Sequence, residues 1–229
     1  MNLVKSIKNL TRTEKIIWTA SILSILVSSL LFPNPDLVSV ITSALGATAL
    51  IFVSKGDPLG QLMCIIFGVI YAFISFHLRY YGEMITYVGM TVPSAVWALY
   101  TWLKNPYTDR QVKVAEMTAK KWMLVVFGGL ASSLIMYFVL GFFGTANLII
   151  STVSVATSFM ASMLTVLRSP LYALFYAAND VVLIALWVLA CIDNIGYLPM
   201  VICFIIFLVN DAYGFINWRK MKKIQGEGI

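Results

Sequence analysis

The sequence predicts an all-α membrane protein of eight transmembrane helices. Six of them form two parallel three-helix repeats joined by a linker helix (3-1-3), and an extra helix precedes them. The first observation behind this prediction is composition, because 60% of the 229 residues are hydrophobic and only 11% are charged. Soluble domains have about a quarter of their residues charged, so an ordinary soluble enzyme is excluded. The same hydrophobicity excludes intrinsic disorder.

The second observation is the division of the chain into eight apolar runs. A helix of about 17 to 22 residues rises roughly 26–33 Å, which matches the hydrocarbon core of a bilayer. Turn-forming residues separate the runs, as in PNPD at 33–36 and KGDP at 55–58. The predicted spans are Ile16–Phe32, Leu37–Val53, Leu59–Phe76, Tyr81–Trp102, Trp122–Phe143, Ala146–Leu164, Pro170–Ala190 and Leu198–Trp218.

The third observation is the distribution of positive charge. With eight spans, both termini and the second, fourth and sixth connections lie on one side of the membrane. They contain every Lys and Arg residue except Arg79. Cytoplasmic connections carry this excess, so both termini are predicted to be cytoplasmic. Since the basic residues flank the spans, the net charge of +6 indicates contact with anionic lipid, and no nucleic-acid partner is expected.

Two segments of the chain share a layout. Pro58-Leu59 recurs as Pro170-Leu171 at an offset of 112 residues, and Trp102 recurs as Trp218 at an offset of 116. Each segment holds three spans with one span between the segments, so both enter the membrane in the same sense. Terminal tryptophans are common in membrane helices and could produce such a likeness by chance.

The repeat divides the chain into five parts and predicts where a solute would bind. Transporters built from repeats bind their substrate at the repeat interface near the bilayer midplane. The parts are residues 1–36 (cytoplasmic N-terminus and first span), 37–104 (first three-helix repeat), 105–145 (basic cytoplasmic loop and linker helix), 146–220 (second three-helix repeat) and 221–229 (cytoplasmic tail).

Polar residues inside the last two spans are the candidate substrate site. A carboxylate at mid-bilayer costs about 2.5–3.5 kcal/mol and usually marks a solute pathway. Two Asn-Asp pairs accompany aromatic residues at helical spacing, an arrangement suited to a flat, hydrogen-bonding ring. Helix packing is the alternative, since amides also join membrane helices. The candidates are Tyr172, Phe175, Tyr176, Asn179, Asp180, Asn210, Asp211, Tyr213 and Asn217.

Signals for catalysis, cofactors and metals are missing from the sequence. The chain has one histidine, and its three cysteines have no paired spacing, so no metal site is expected. It has no Gly-rich phosphate loop and no nucleophile motif. An aspartyl dyad of Asp180 and Asp211 remains conceivable, but the prediction is a protein that is not an enzyme and has no cofactor. Gln61, near the end of its span, is expected to be solvated.

Several of these residues carry a family resemblance. The chain resembles the PnuC family of bacterial transporters of nicotinamide riboside and related vitamin precursors, from Trp18 to Trp218. The resemblance rests on Tyr81-Gly82-Glu83, Pro93 nine residues before Trp102, Asn179 followed by LIALW at 183–187, and the segment NDAYGFINW at 210–218. It implies a multi-pass protein of the bacterial cytoplasmic (inner) membrane and a homo-oligomer, a trimer. It also implies facilitated diffusion, with metabolic trapping by a cytoplasmic kinase.

The chain departs from the family pattern at positions that the resemblance implies are in contact with substrate. The family's Trp-x-x-Trp-x-x-x-Asn element reads Tyr172, Phe175 and Asn179 here, and Gly68 and Ala95 stand where the family often has amides. The predicted substrate is a nucleoside-like vitamin precursor, nicotinamide riboside before the others, because two carboxylates favour a cation. A deoxynucleoside or thiamine transporter of the same family and a SWEET-type sugar carrier are the alternatives.

Overall fold

The computed structural model describes residues 6–7, 9–30, 37–77, 81–145, 147–193 and 198–227. These residues are almost entirely helical, which confirms the predicted all-α class. We number the helices in the order of the predicted spans. They are α1 (Arg12–Leu30), α2 (Leu37–Ser54), α3 (Pro58–His77), α4 (residues 81–104), α5 (Ala119–Phe142), α6 (Leu148–Val166), α7 (Leu171–Asp193) and α8 (Leu198–Glu227).

The apolar character of these helices fits a protein that crosses the membrane several times. Within the described residues, five helical stretches are long and apolar enough to cross a bilayer, in α1, α5, α6, α7 and α8. Residues 40–54 of α2 and 58–74 of α3 are shorter apolar stretches. The predicted number of eight spans therefore stays a prediction, and the multi-pass character is the firm result.

Helix α4 has a break that the sequence analysis did not anticipate. It consists of α-helical residues Tyr81–Thr86, a π-helical turn Tyr87–Thr91 and α-helical residues Val92–Lys104. Pro93 explains the interruption, because proline has no N–H and its ring clashes with the carbonyl four residues earlier. Wider π-turns relieve such a clash and are frequent at functional sites.

The last helix is longer than the predicted span. α8 continues past Trp218 to Glu227, through the segment predicted to be a tail. Gln225 is buried there. Its side chain accepts a hydrogen bond from Val114 N (2.7 Å) and donates one to Val112 O (3.1 Å). The end of α8 therefore holds the connection between α4 and α5, residues 105–118, which we call the strap. The strap contains a short antiparallel pair, β1 (Pro106–Thr108) and β2 (Gln111–Val112).

The α2–α3 turn and the α6–α7 turn are built alike, 112 residues apart. Gly56 and Arg168 occupy matching positions, and both have left-handed backbones, with φ of 71° and 59°. Their N–H groups donate to Val53 O (2.9 Å) and Thr165 O (3.0 Å). Side-chain caps follow the same offset: Asp57 Oδ1 accepts from Leu59 N, and Ser169 Oγ accepts from Leu171 N.

Two buried tryptophans join the two halves of the chain in an equivalent way. Trp102 Nε1 donates to Thr165 O (2.9 Å), and Trp218 Nε1 donates to Val53 O (3.0 Å). The ring centroids of the two tryptophans lie 5.2 Å apart. Each tryptophan thus caps a helix of the other half. The preceding residues add a second matched pair, Thr101 Oγ1 to Val166 O (2.9 Å) and Asn217 Nδ2 to Ser54 O (2.8 Å).

The strap binds both of these turns at the same end of the protein. Val112 N donates to Gly56 O (2.9 Å), and Ala115 N donates to Arg168 O (3.0 Å). Near the N-terminus, Ser6 Oγ donates to the side chain of Asp57 (2.9 Å). The three connections predicted to be basic and cytoplasmic therefore contact one another, together with chain from both ends. We call this the basic end.

The matched tryptophans give a test of the packing. We expect Trp102→Phe and Trp218→Phe each to cost about 0.5–1.5 kcal/mol, because each change removes one of the two hydrogen bonds that its carbonyl acceptor receives. The apparent melting temperature in detergent should fall by about 2–4 °C for each kcal/mol lost. Trp97→Phe is the control, since that side chain is 53% exposed. An equal loss in Trp97→Phe would show that the two hydrogen bonds contribute nothing.

Candidate functional site

A cavity of about 680 Å³ lies between the two halves of the chain. Its walls come from α2, α3 and α4 on one side and from α6, α7 and α8 on the other. This volume is within the range of small-molecule sites, roughly 300–1,000 Å³. It reaches Asn147 in the α5–α6 connection. Toward the basic end it stops at the buried cluster that contains Trp102 and Trp218.

Corresponding positions of α3 and α7 face this cavity. The offset of 112 residues that relates the two turns also relates their lining residues. Both helices therefore present the same register to the cavity, as expected for two similar units that enclose it. The pairs are Cys64 and Tyr176, Phe67 and Asn179, and Tyr71 and Leu183.

One wall of the cavity carries a group of three aromatic rings that the sequence analysis missed. Phe67, Tyr71 and Tyr87 have ring centroids 5.7, 6.0 and 4.4 Å apart. Tyr87 belongs to the π-turn of α4. Gly68 lets α3 approach α4 there, because an added Cβ would lie 2.8 Å from Val92 Cγ2. We call these three rings the aromatic wall. In the sequence, the signal for this wall was the spacing of Phe67 and Tyr71, which are four residues apart and therefore share one helix face.

The opposite wall presents hydroxyl groups from α6, which the sequence analysis also missed. They recur every three or four residues and therefore share one face of the helix. Tyr176 of α7 adds a phenol, whose oxygen lies 2.9 Å from Ser162 Oγ. We call this set the hydroxyl wall. Its α6 members are Ser151, Ser154, Ser158, Ser162 and Thr165.

Asn179 is a predicted site residue whose amide is fixed at the cavity. Its Oδ1 accepts hydrogen bonds from Ser154 Oγ (2.8 Å) and Thr157 Oγ1 (2.9 Å). Its Nδ2 has no hydrogen bond to any residue that the structure describes. Since the residue lines the cavity and is 94% buried, its NH₂ group is held ready to donate to a ligand acceptor.

The predicted carboxylates Asp180 and Asp211 also line the cavity. Both are buried, with 4% and 6% of their surface exposed. They come from α7 and α8, two helices that pack against each other. Asp180 Oδ2 has no hydrogen-bond partner among the described residues. Among the residues that the structure describes, the cavity lining contains no Lys, Arg or His. When they are ionised, the two carboxylates attract a cationic ligand.

Only five of the nine predicted site residues come together at the cavity: Tyr172, Tyr176, Asn179, Asp180 and Asp211. Phe175 packs beside the buried cluster instead. The remaining three correct the prediction for α8, because they face α1 and α2. Asn210 Nδ2 donates to Ser21 Oγ (3.2 Å), Tyr213 Oη to Glu14 Oε1 (3.0 Å), and Asn217 Nδ2 to Ser54 O.

Gln61 is a second correction. The sequence analysis expected it to be solvated because it lies near a helix end. The structure buries it, with 3% of its surface exposed, and places it in the cavity lining. The turn that joins α2 to α3 is tight and packed under the strap, so the first turn of α3 is already inside the protein.

Known proteins with a similar chain carry transporter names. Residues 36–220 match the family described as nicotinamide mononucleotide transporter. This chain belongs to that family, the PnuC transporters. The nicotinamide riboside transporter PnuC of Neisseria mucosa is 29% identical over 198 residues, which cover 83% of this chain and 75% of that protein. The protein of the same name from Haemophilus influenzae is 22% identical over 189 residues, 81% and 80% of the two chains.

A solved PnuC structure has the same fold. The crystal structure of the vitamin B3 transporter PnuC superposes with a TM-score of 0.79 at 26% identity, over 95% of this chain and 94% of that one. The PnuC resemblance read from the sequence is therefore confirmed. Within the PnuC motif on α7, Tyr172 and Asn179 line the cavity whereas Phe175 does not. The aromatic wall on α3 and α4 supplies rings on the opposite side.

Proposed function

We propose that this protein is a membrane transporter of nicotinamide riboside. The observation that carries the proposal is the cavity itself, enclosed by both halves of a PnuC chain, with aromatic, hydroxyl and carboxylate groups on its walls. The names of the two relatives, both nicotinamide riboside transporters, support nicotinamide riboside as the substrate. The nine residues predicted to bind it reduce to the five that line the cavity.

The cavity walls match the chemistry of this substrate. Nicotinamide riboside has a flat, positively charged pyridinium ring, a carboxamide and ribose hydroxyls. The aromatic wall offers stacking and cation–π contacts for the ring. Asp180 and Asp211 offer negative charge for the pyridinium. The NH₂ of Asn179 and the hydroxyl wall are suited to the carboxamide and the ribose, which need donors and acceptors.

The transport mechanism we propose is alternating access between two three-helix units, residues 37–104 and 146–220. The matched turns and the exchanged tryptophan hydrogen bonds support two similar units around a central axis. Residues 1–36 would add an extra first helix and residues 105–145 the linker helix, giving eight spans in a bacterial inner membrane. The clustered basic connections support cytoplasmic termini. The protein is then in a conformation that is closed at its cytoplasmic end.

The family resemblance implies facilitated diffusion, with trapping by a cytoplasmic kinase and assembly as a trimer. We include these as parts of the proposal. Of the alternative substrates, thiamine shares the positive charge that the carboxylates favour. A deoxynucleoside or a simple sugar has no charge for them to neutralise.

A competition binding experiment tests the substrate. The purified protein is loaded with labelled nicotinamide riboside, and thiamine, a deoxynucleoside and a simple sugar are added in turn. We expect unlabelled nicotinamide riboside to displace the label most effectively and the two uncharged solutes to displace it least. Displacement by sugars alone would instead indicate a SWEET-type carrier. Uptake of unchanged label into protein-containing vesicles distinguishes transport from chemical conversion.

A further inference from the structure

We propose that the side chain of Gln61 binds the carboxamide of nicotinamide riboside and makes the cavity select pyridinium nucleosides that carry an amide. The inference deepens the proposed function and rests on it, since it assigns one group of that substrate to one residue of the same cavity. Gln61 was not among the residues predicted to bind substrate.

The amide of Gln61 has no partner within the fold. The residue lines the cavity and has only 3% of its surface exposed. Neither its Nε2 nor its Oε1 hydrogen-bonds to any residue that the structure describes. Burying an amide without a partner destabilises a folded protein. The hydrogen bonds of Gln61 are therefore left for a ligand in the cavity.

Two other primary amides line the cavity among the described residues, those of Asn147 and Asn179. Asn147 is exposed and lies in the α5–α6 connection. The Oδ1 of Asn179 already accepts from two hydroxyl groups, so this residue offers only its NH₂. In this part of the lining, Gln61 is therefore the buried amide that offers a donor and an acceptor together.

A donor and an acceptor together are what the carboxamide of nicotinamide requires. It has one C=O group and one NH₂ group, as the glutamine side chain does. Two primary amides that meet in one plane form a closed pair, in which an N–H of each donates to the C=O of the other. A ketone in the same place supplies the acceptor alone, so the Oε1 of Gln61 is left unpaired. Sites built to hydrogen-bond an N–H group reject analogues that lack it for this reason.

The depth of Gln61 in the cavity suits this role. The cavity face of α3 carries residues at intervals of three or four, namely Gln61, Cys64, Phe67 and Tyr71. Gln61 precedes Phe67 by six residues, a distance of about 9 Å along the helix toward the basic end. A pyridinium ring stacked on the aromatic wall can therefore direct its carboxamide toward Gln61. Its ribose then stays beside Asn179, which corresponds to Phe67 in the other half of the chain.

The backbone that carries Gln61 is held firmly. Asp57 O accepts from Gly60 N (2.9 Å), and Asp57 Oδ1 accepts from Leu59 N (2.9 Å). At Gly60, α3 also lies directly against the backbone of Val53. A binding residue on a rigid element loses little freedom when its ligand arrives. Gln61 is therefore positioned before the substrate binds.

The test compares two ligands of similar shape and equal charge on the intact purified protein. Nicotinamide riboside carries the amide, and 3-acetylpyridine riboside has a methyl group in place of the NH₂. We expect the wild-type protein to bind nicotinamide riboside more tightly, by roughly five- to a hundredfold. Gln61→Met keeps an unbranched side chain of similar length, and it should bring the two dissociation constants to within about twofold of each other.

Two controls separate binding from packing. Asn179→Ala should weaken the binding of both ligands and leave the ratio of their dissociation constants within about twofold of the wild-type ratio. The melting temperature of the unliganded Gln61→Met variant should not fall below that of the wild type, because the amide has no hydrogen bond to a described residue that could be lost. A lower melting temperature with an unchanged ratio would show that Gln61 serves packing, which overturns the inference.

The other outcomes separate this inference from the proposed function. Equal affinity of the wild-type protein for the two ligands would overturn the role of Gln61 and leave nicotinamide riboside as the substrate. A preference that persists in Gln61→Met, or that disappears in Asn179→Ala, would do the same. Failure of the folded wild-type protein to bind nicotinamide riboside would instead overturn the proposed function. Gln61→Leu serves the same comparison if Gln61→Met does not fold.

Discussion

Gly60→Ala is expected to destabilise the protein strongly, although it adds only one methyl group. A Cβ at this position would lie 2.5 Å from Val53 N and 2.9 Å from Phe52 C. These are backbone atoms at the end of α2, so no side-chain rotation relieves the contact, and α2 and α3 must separate. We expect a loss of about 3 kcal/mol, at the upper end of overpacking. The apparent melting temperature in detergent should fall by about 6–12 °C.

Gly89→Ala is the matched control for this prediction. Gly89 also lies in a membrane helix, but an added Cβ there would meet nothing within 4 Å. The melting temperature of the Gly89→Ala variant should stay close to that of the wild type. If Gly60→Ala melts like Gly89→Ala, then the close approach of α2 and α3 is not a feature of the protein in solution.

Asn179→Ala is expected to weaken binding of nicotinamide riboside by about 1–3 kcal/mol, or roughly five- to more than a hundredfold. The change removes the NH₂ donor at the cavity and also takes its acceptor from Ser154 Oγ, whereas Thr157 Oγ1 keeps its hydrogen bonds to backbone carbonyls. The effect is measured as the dissociation constant of the purified, folded variant. If the variant binds nicotinamide riboside with wild-type affinity, Asn179 does not contribute to the binding site.

Asn210→Ala provides the comparison for Asn179. Both residues are buried asparagines that precede an aspartate, but Asn210 bonds to Ser21 and Ile206 rather than facing the cavity. We expect Asn210→Ala to lower the melting temperature and to leave the dissociation constant within about twofold of the wild type. A binding loss equal to that of Asn179→Ala would contradict the division between site and packing residues.

Much of the fold was readable from the sequence because membrane helices must be long, apolar and bounded by polar turns. The starts of α3 and α7, at Pro58 and Leu171, were predicted to within one residue. The offset of 112 residues, found from Pro58 and Pro170, also relates the hydrogen bonds of Gly56 and Arg168. The π-turn of α4 was not predictable in position, since a proline can kink, break or widen a helix depending on its neighbours.

The candidate site was only half predictable for a different reason. Sequence periodicity shows which residues share a helix face, but it does not show what that face contacts. On α8, one face carries Asn210, Tyr213 and Asn217, which meet α1 and α2. Asp211 lies on the neighbouring face and lines the cavity. The polar residues alone could not separate the two faces, because polar groups serve both binding and helix association.

The strap limits how far the two halves can part at the basic end. Val112 holds the α2–α3 turn and Ala115 holds the α6–α7 turn, and three residues of fully extended chain span only about 10 Å. A larger separation must break one of these two hydrogen bonds. The strap is therefore a short tether between the two turns, and its length limits how far the α2–α3 turn can move from the α6–α7 turn.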